Sequence, residues 1–119
     1  MQTRDVRVKV HNEMLKGMLE MVVLQLLQAT PLHGYGIISE IRKTFGVYFG
    51  PSIIYPLLNG LETKGCLTSE WDMSSEKPRK VYKLTTQGRS LLNLTEESFS
   101  LICRKIGIAT EKREIIINA

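Results

Sequence analysis

The chain has 119 residues, a formal net charge of +4 at pH 7 and a hydrophobic fraction of 43%. This length suits one domain, and this composition is typical of a folded chain and not of a disordered one. No apolar run approaches the roughly 20 residues that a membrane span needs, and the N-terminus has no apolar signal-peptide core. We therefore expect a cytoplasmic protein with no membrane partner.

Residues that could carry metal binding or catalysis are scarce. Cys66 and Cys103 are far apart and form no Cys-x-x-Cys pair, which favours small apolar residues in a reducing compartment over a disulfide or a zinc site. His33 has no second ligand at metal spacing, and we expect it to cap a helix; His11 lies in the N-terminal segment. With no nucleophile–base pair and no phosphate-binding loop, the sequence predicts neither an enzyme nor a cofactor.

The N-terminal third of the chain predicts an arm followed by a helix. Residues 1–12 alternate valines with charged residues, which predicts an extended segment. Apolar side chains then recur at three- and four-residue spacing over residues 13–28, which predicts an amphipathic helix. This helix should end at Thr30, because a residue before proline avoids helical backbone.

Two shorter helices are expected next. The first covers about residues 35–45 and stops at Gly46. The second opens at Pro51-Ser52, where the Ser52 hydroxyl can accept a hydrogen bond from the first turn, and it stops at Gly65. The outer face of this third helix of the sequence should present polar side chains: Ser52, Tyr55, Asn59, Thr63 and Lys64.

Residues 66–71 and 80–84 alternate in polarity, which predicts two strands joined as a β-hairpin through the polar segment 72–79. The stretch from Lys77 to Lys83 holds four basic residues and no acidic one. Such a run of basic residues can simply be a solvated loop. Because it directly follows a helix-turn-helix pattern, a contact with DNA is the stronger interpretation. We expect Trp71 to pack in the core or on the strands.

A long helix should follow from a cap at Thr85 or Thr86 to about residue 106. Leu92, Phe99 and Ile106 are seven residues apart, as at a seam between two helices. The tail, residues 107–119, loses the helical period, and Ile115 to Ile117 could form a short strand or an adhesive end.

Three helices, a basic hairpin and a long helix form the layout of a winged helix-turn-helix, a mainly α fold with a small β-hairpin. The third helix can lie in the major groove of DNA, while the hairpin, or wing, places cations on the neighbouring backbone. The corresponding division is an N-terminal arm (1–12), a winged-helix DNA-binding domain (13–84), a dimerisation helix (85–106) and a tail (107–119).

The sequence resembles the PadR family of transcriptional regulators over residues 13–106. Two departures stand out. Ser52-Ile53-Ile54-Tyr55-Pro56 replaces a common Gly-Thr-Leu-Tyr-Pro, and Glu76-Lys77 stands where the wing often has a glycine. The chain looks like the short subgroup with a single C-terminal helix. The segments that carry the resemblance are MLKGMLEMVVLQLL, TPLHGYGIISEI, GPSIIYPLLNGLETKGCLTSEW and KPRKVYKLTTQGRSLL.

The resemblance implies a homodimeric repressor that binds specific sites on double-stranded DNA, with the N-terminal and last helices building the dimer. In some relatives flat hydrophobic compounds bind between the last helices and loosen DNA contact, so Phe99 is either an effector-binding residue or a residue of the dimer seam. The alternative is a winged helix that contacts proteins and not DNA. The resemblance and the polar outer face together predict these DNA-binding residues: Ser52, Tyr55, Pro56, Asn59, Lys64, Lys77, Arg79 and Lys80.

Overall fold

The computed structural model describes residues 3–107, so the predicted strand or adhesive end at Ile115 to Ile117 lies outside the described residues. The predicted class, mainly α with a small β-hairpin, is confirmed. Five helices and three strands follow one another in the order α1 (Thr3–Gly17), α2 (Leu19–Ala29), β1 (Leu32–His33), α3 (Gly34–Phe45), α4 (Pro51–Thr63), β2 (Leu67–Asp72), β3 (Arg79–Leu84) and α5 (Thr86–Lys105).

The N-terminal segment is helical, so the prediction of an extended arm was wrong. Val6, Val10 and Met14 recur every four residues and form one exposed face of α1. The predicted helix over 13–28 is interrupted after Gly17, where the backbone N–H of Met18 donates to the carbonyl of Leu15 in a tighter turn. Leu15 is the residue of α1 that is buried in the core, whereas α2 buries six residues there.

The core forms around α2, which packs against α3, α5 and β3. Val23 and Leu24 are completely buried, and Ile41, Leu58 and Leu92 close the core from α3, α4 and α5. Burying a side chain of this kind contributes about 1.5–3 kcal/mol relative to leaving it exposed. Cys66 is also buried, as expected of a small apolar residue, and Cys103 is half-buried.

The ends of α3 agree with the sequence, whereas the start of α4 does not. The Nδ1 atom of His33 accepts a hydrogen bond from the backbone N–H of Gly36 at 3.1 Å, which confirms the predicted cap. Gly46 ends α3 with φ at 74°, a conformation that favours glycine. The N-cap of α4 is Gly50 and not Ser52, because Pro51 takes the first helical position, where no N–H is needed.

The sheet has the order β1-β3-β2 and is antiparallel throughout. The two-residue strand β1 has no counterpart among the sequence predictions. In the hairpin, Asp72 pairs with Arg79, so the ladder is longer and the loop shorter than predicted. The cap of α5 is Thr85, whose hydroxyl accepts from the N–H of Gly88 at 3.0 Å and donates to the carbonyl of Gly65 at 2.7 Å.

Candidate nucleic-acid interface

The outer face of α4 is polar and open to solvent at its N-terminal end. Ser52, Pro56 and Asn59 are exposed and lie at spacings of four and three residues, on one side of the helix. Lys64 follows the last turn, about 18 Å along the helix axis from Ser52 and about 7.5 Å from Asn59 at 1.5 Å per residue. Its ammonium group lies 3.9 Å from a carboxylate oxygen of Glu20, so the structure separates Lys64 from the other predicted residues.

The three predicted wing cations have different surroundings. Arg79 and Lys80 are neighbours on β3, and successive side chains of a strand face opposite sides of the sheet. Lys80 faces the Trp71 ring, with its Nζ atom 5.6 Å from the ring centroid, which is a cation–π contact. Lys77 is exposed in the loop between the strands.

Arg79 has an acidic neighbour that lies outside the predicted site. Asp72 pairs with Arg79 across the hairpin. Hydrogen bonds from the hydroxyl and the backbone N–H of Ser74 lower the pKa of Asp72, and the charge of Arg79 lowers it further. The carboxylate is therefore ionised at neutral pH and partly offsets the positive charge of the wing.

Trp71 does not lie in the core, because 62% of its surface is exposed. Leu67, Ser69 and Trp71 share one face of β2, and this face becomes more exposed along the strand as the hairpin extends away from the protein body. Its packing partner is Lys80, directly opposite on β3. The expected strand packing is present and the expected core position is not.

A cavity of about 350 Å³ lies between the start of α3, the outer side of α4 and the hairpin. We call it the wing cavity, and it brings together Tyr55, Asn59, Arg79 and Lys80 of the predicted site. Ser52, Pro56, Lys64 and Lys77 do not line it. The cavity wall also includes two aromatic residues that were not predicted as site residues, Tyr35 and Trp71.

Tyr55 is half-buried, although its spacing had placed it on the exposed face. Its hydroxyl lies over the backbone of Gly34, in space that any larger residue at position 34 would need for its Cβ atom. The ring meets Tyr35 edge-on, with centroids 6.3 Å apart. Burial raises the pKa of the Tyr55 hydroxyl, as does the neighbouring Tyr35, so Tyr55 is a neutral donor at physiological pH.

Phe99 lies on α5, does not line the wing cavity and is 41% exposed. It lines a second cavity of about 360 Å³, together with Met18, Met21, Leu94 and Ile102 among others. This wall is largely apolar and lies at the junction of α5 with the region between α1 and α2. Residues 3–107 contain no group of three or more histidines, cysteines or carboxylates that could hold a metal ion.

The fold and this surface define a winged helix-turn-helix protein, with α4 in the position of the recognition helix and the β2–β3 hairpin as the wing. The family model of the transcriptional regulator PadR-like family matches residues 23–94, more than half of the chain. The chain therefore belongs to the PadR-like family of transcriptional regulators. Members of this family are transcriptional regulators and not enzymes, which confirms the prediction from the sequence that the chain is not an enzyme.

Comparison with individual proteins agrees with this assignment. The crystal structure of a PadR family transcriptional regulator from Eggerthella lenta is 33% identical with a TM-score of 0.79, covering 87% of this chain and 91% of that one. Transcriptional regulator Rv3488 of Mycobacterium tuberculosis is 29% identical over 75 residues, 63% of this chain and 69% of its own. Bacillus subtilis PadR, solved in complex with operator DNA, is 32% identical with a TM-score of 0.59, covering 64% of this chain and 45% of that one.

None of the five helices within residues 3–107 has both the length and the apolar character that a bilayer span requires.

Proposed function

We propose that this chain is a cytoplasmic, homodimeric repressor that binds specific sites on double-stranded DNA. The observation that carries the proposal is the wing cavity, where Asn59 of α4 meets Arg79 and Lys80 of the hairpin. The likeness to Bacillus subtilis PadR, which was solved in complex with operator DNA, supports DNA as the partner.

In this mechanism α4 enters the major groove, whose width of about 12 Å admits a helix. The amide of Asn59 forms hydrogen bonds with base edges and so recognises the sequence. Ser52, at the start of α4, forms a hydrogen bond with the DNA backbone. Lys77, Arg79 and Lys80 bind phosphates beside the groove, which adds affinity without sequence preference. Binding at a promoter then excludes the polymerase.

The proposed dimer would bury apolar surface that a single chain leaves exposed. On α5, Phe99 and Ile106 are seven residues apart, as are Leu94 and Leu101, and all four are at least 41% exposed. An exposed apolar surface of this kind marks an interaction site. The valine face of α1 adds to it. A two-fold axis between the α5 helices of two chains would present two recognition helices to half-sites about 34 Å apart, or a multiple of that distance.

We further propose that a flat hydrophobic effector binds in the cavity beside Phe99 and weakens DNA binding by changing the separation of the two wings. The apolar wall and a volume near 360 Å³ are suited to such a ligand. Calorimetry of the purified dimer with planar aromatic compounds tests this, with Phe99→Ala as the matched variant. No heat and no change in DNA affinity would remove the effector from the proposal.

The experiment that tests DNA binding is a fluorescence polarisation titration with duplexes selected from genomic DNA, repeated over a range of salt concentrations. Lys77→Ala should weaken binding to every sequence and reduce the salt slope by about one for a lost phosphate contact. Lys43→Ala removes the same charge from the last turn of α3 and serves as the control. Absence of affinity at low salt would contradict the proposal and favour a winged helix that contacts proteins.

A further inference from the structure

Tyr35 is an aromatic residue that the fold leaves largely open to solvent. It is the second residue of α3, it is 63% exposed, and it borders the wing cavity together with Asn59 and Lys80. Among the hydrogen bonds found within residues 3–107, none uses its hydroxyl. A tyrosine in this position offers a neutral donor on the same surface as the polar face of α4 and the wing.

Tyr55 has a different environment, although the two rings touch. Its hydroxyl is directed at the backbone of Gly34, on the neighbouring helix, and its ring is half-buried. The edge-on contact with Tyr35, at an interplanar angle of 72°, is one of the preferred geometries for aromatic pairs. Tyr55 therefore supports the Tyr35 ring from within, while its own hydroxyl is turned toward α3.

We infer that the hydroxyl of Tyr35 donates a hydrogen bond to a backbone phosphate of bound DNA, and that Tyr55 is a positioning residue that holds the Tyr35 ring at the edge of the wing cavity. This inference rests on the proposed function, because it needs α4 and the wing to face one duplex. Tyrosine hydroxyls are common donors to DNA phosphates, and such contacts fix the register of a protein on the duplex.

A phosphate contact made by tyrosine differs in one measurable way from a contact made by lysine. Lysine neutralises a phosphate and releases a counterion, so removing the lysine flattens the dependence of affinity on salt. The Tyr35 hydroxyl carries no charge. Its removal should lower affinity by the same factor at every salt concentration and leave the slope unchanged.

The experiment combines Tyr35→Phe with chemical changes in the DNA. The full chain first selects a duplex from genomic DNA, and single phosphates of each half-site are then replaced by methylphosphonates. We expect Tyr35→Phe to weaken binding about tenfold, as for loss of a hydrogen bond to a charged group, with an unchanged salt slope. One methylphosphonate per half-site should weaken the wild-type protein but not the variant. Equal losses for both proteins at every phosphate would overturn the inference.

Two further sets of variants separate contact from positioning. Tyr48→Phe removes the hydroxyl of another tyrosine, 61% exposed and outside the wing cavity, and should show no coupling to the phosphate that Tyr35 binds. Tyr55→Ala should weaken DNA binding, and Tyr55→Phe should restore it, because the ring and not the hydroxyl supports Tyr35. Coupling of that phosphate to Tyr55→Phe instead of Tyr35→Phe would overturn the assignment of roles.

The outcomes also separate this inference from the function on which it rests. A wild-type protein that binds no duplex would overturn both. A wild-type protein that binds, loses salt slope in Lys77→Ala and is unaffected by Tyr35→Phe would overturn the role of Tyr35 alone.

Discussion

Replacing Gly34 with alanine should destabilise the protein, although alanine is the better helix former. The added methyl group would overlap the hydroxyl and Cζ of Tyr55 and would lie 2.7 Å from its Cε1 atom, so the ring or one of the two helices must move. Overpacking of this kind costs about 1–3 kcal/mol. Helix propensity offsets at most about 1 kcal/mol of that cost. After the full offset is subtracted, the net expectation is a free energy of unfolding lower by up to about 2 kcal/mol.

The assay is equilibrium unfolding in urea, followed by circular dichroism at one fixed protein concentration, since association contributes to stability. In a Tyr55→Ala background the methyl group has space, so Gly34→Ala should become stabilising by up to about 1 kcal/mol. Gly60→Ala is the control, because a methyl group at that position in α4 meets nothing within 4 Å and should stabilise both backgrounds. Equal stabilisation by Gly34→Ala and Gly60→Ala in the wild-type protein would refute the close contact with Tyr55.

Three further predictions concern the other parts of the molecule. Thr85→Ala should lower the free energy of unfolding by about 1 kcal/mol in the same urea assay, because it removes the cap of α5. Ile102→Asp should shift the protein from two chains to one in sedimentation equilibrium, because a charge would enter the exposed apolar surface of α5 beside Phe99 and Leu94, where Ile102 is 53% exposed in one chain. NMR titration should place the pKa of Asp72 below its usual value of 3.8, and Ser74→Ala should raise it.

Each of these predictions has a control and a result that would contradict it. Thr86→Ala, one residue beyond the cap, should change stability by less than about 0.5 kcal/mol, and equal losses at both threonines would argue against the cap. Asn93→Asp adds the same charge to α5 and should leave the dimer intact; a dimer that survives Ile102→Asp would place the seam elsewhere.

The pKa of Asp72 is lower in the folded chain than in the unfolded chain. Its ionised carboxylate therefore stabilises the fold at pH values above the unfolded-state pKa, and this stabilisation is lost as the pH falls through the folded-state pKa. An unchanged pKa in Ser74→Ala would contradict the turn.

Elements with strong local signals could be predicted from the sequence. The cap at His33, the glycine end of α3 at Gly46, the hairpin and the start of α5 at Thr85 all depend on residues within a few positions of each other. The N-terminal segment failed for a local reason as well. Valines at every second position also recur every fourth, so Val6 and Val10 fit a helix as well as a strand.

Other features depend on contacts between distant parts of the chain and have no local signal. Strand β1 is only two residues long and exists because Leu32 and His33 pair with β3. Tyr55 is half-buried where it contacts Gly34, 21 positions earlier in the chain. Asp72 comes to face Arg79 only through the register of the hairpin. The sequence shows a glycine, Gly34, directly before Tyr35. Its meaning is visible only in the fold, where Tyr55 of α4 packs against this glycine.

The central claim is that α4 contacts the bases while the wing binds the phosphate backbone of the same duplex. A ratio of two DNA affinities tests this claim most directly. The affinity for a selected site and that for unrelated DNA are measured at one salt concentration for Asn59→Ala and Lys77→Ala. Asn59→Ala should reduce the difference in binding free energy between the two DNAs by about 1–3 kcal/mol, which lowers the ratio. Lys77→Ala should weaken both affinities and leave the ratio unchanged. Two variants that weaken both affinities to the same extent would contradict this division of roles.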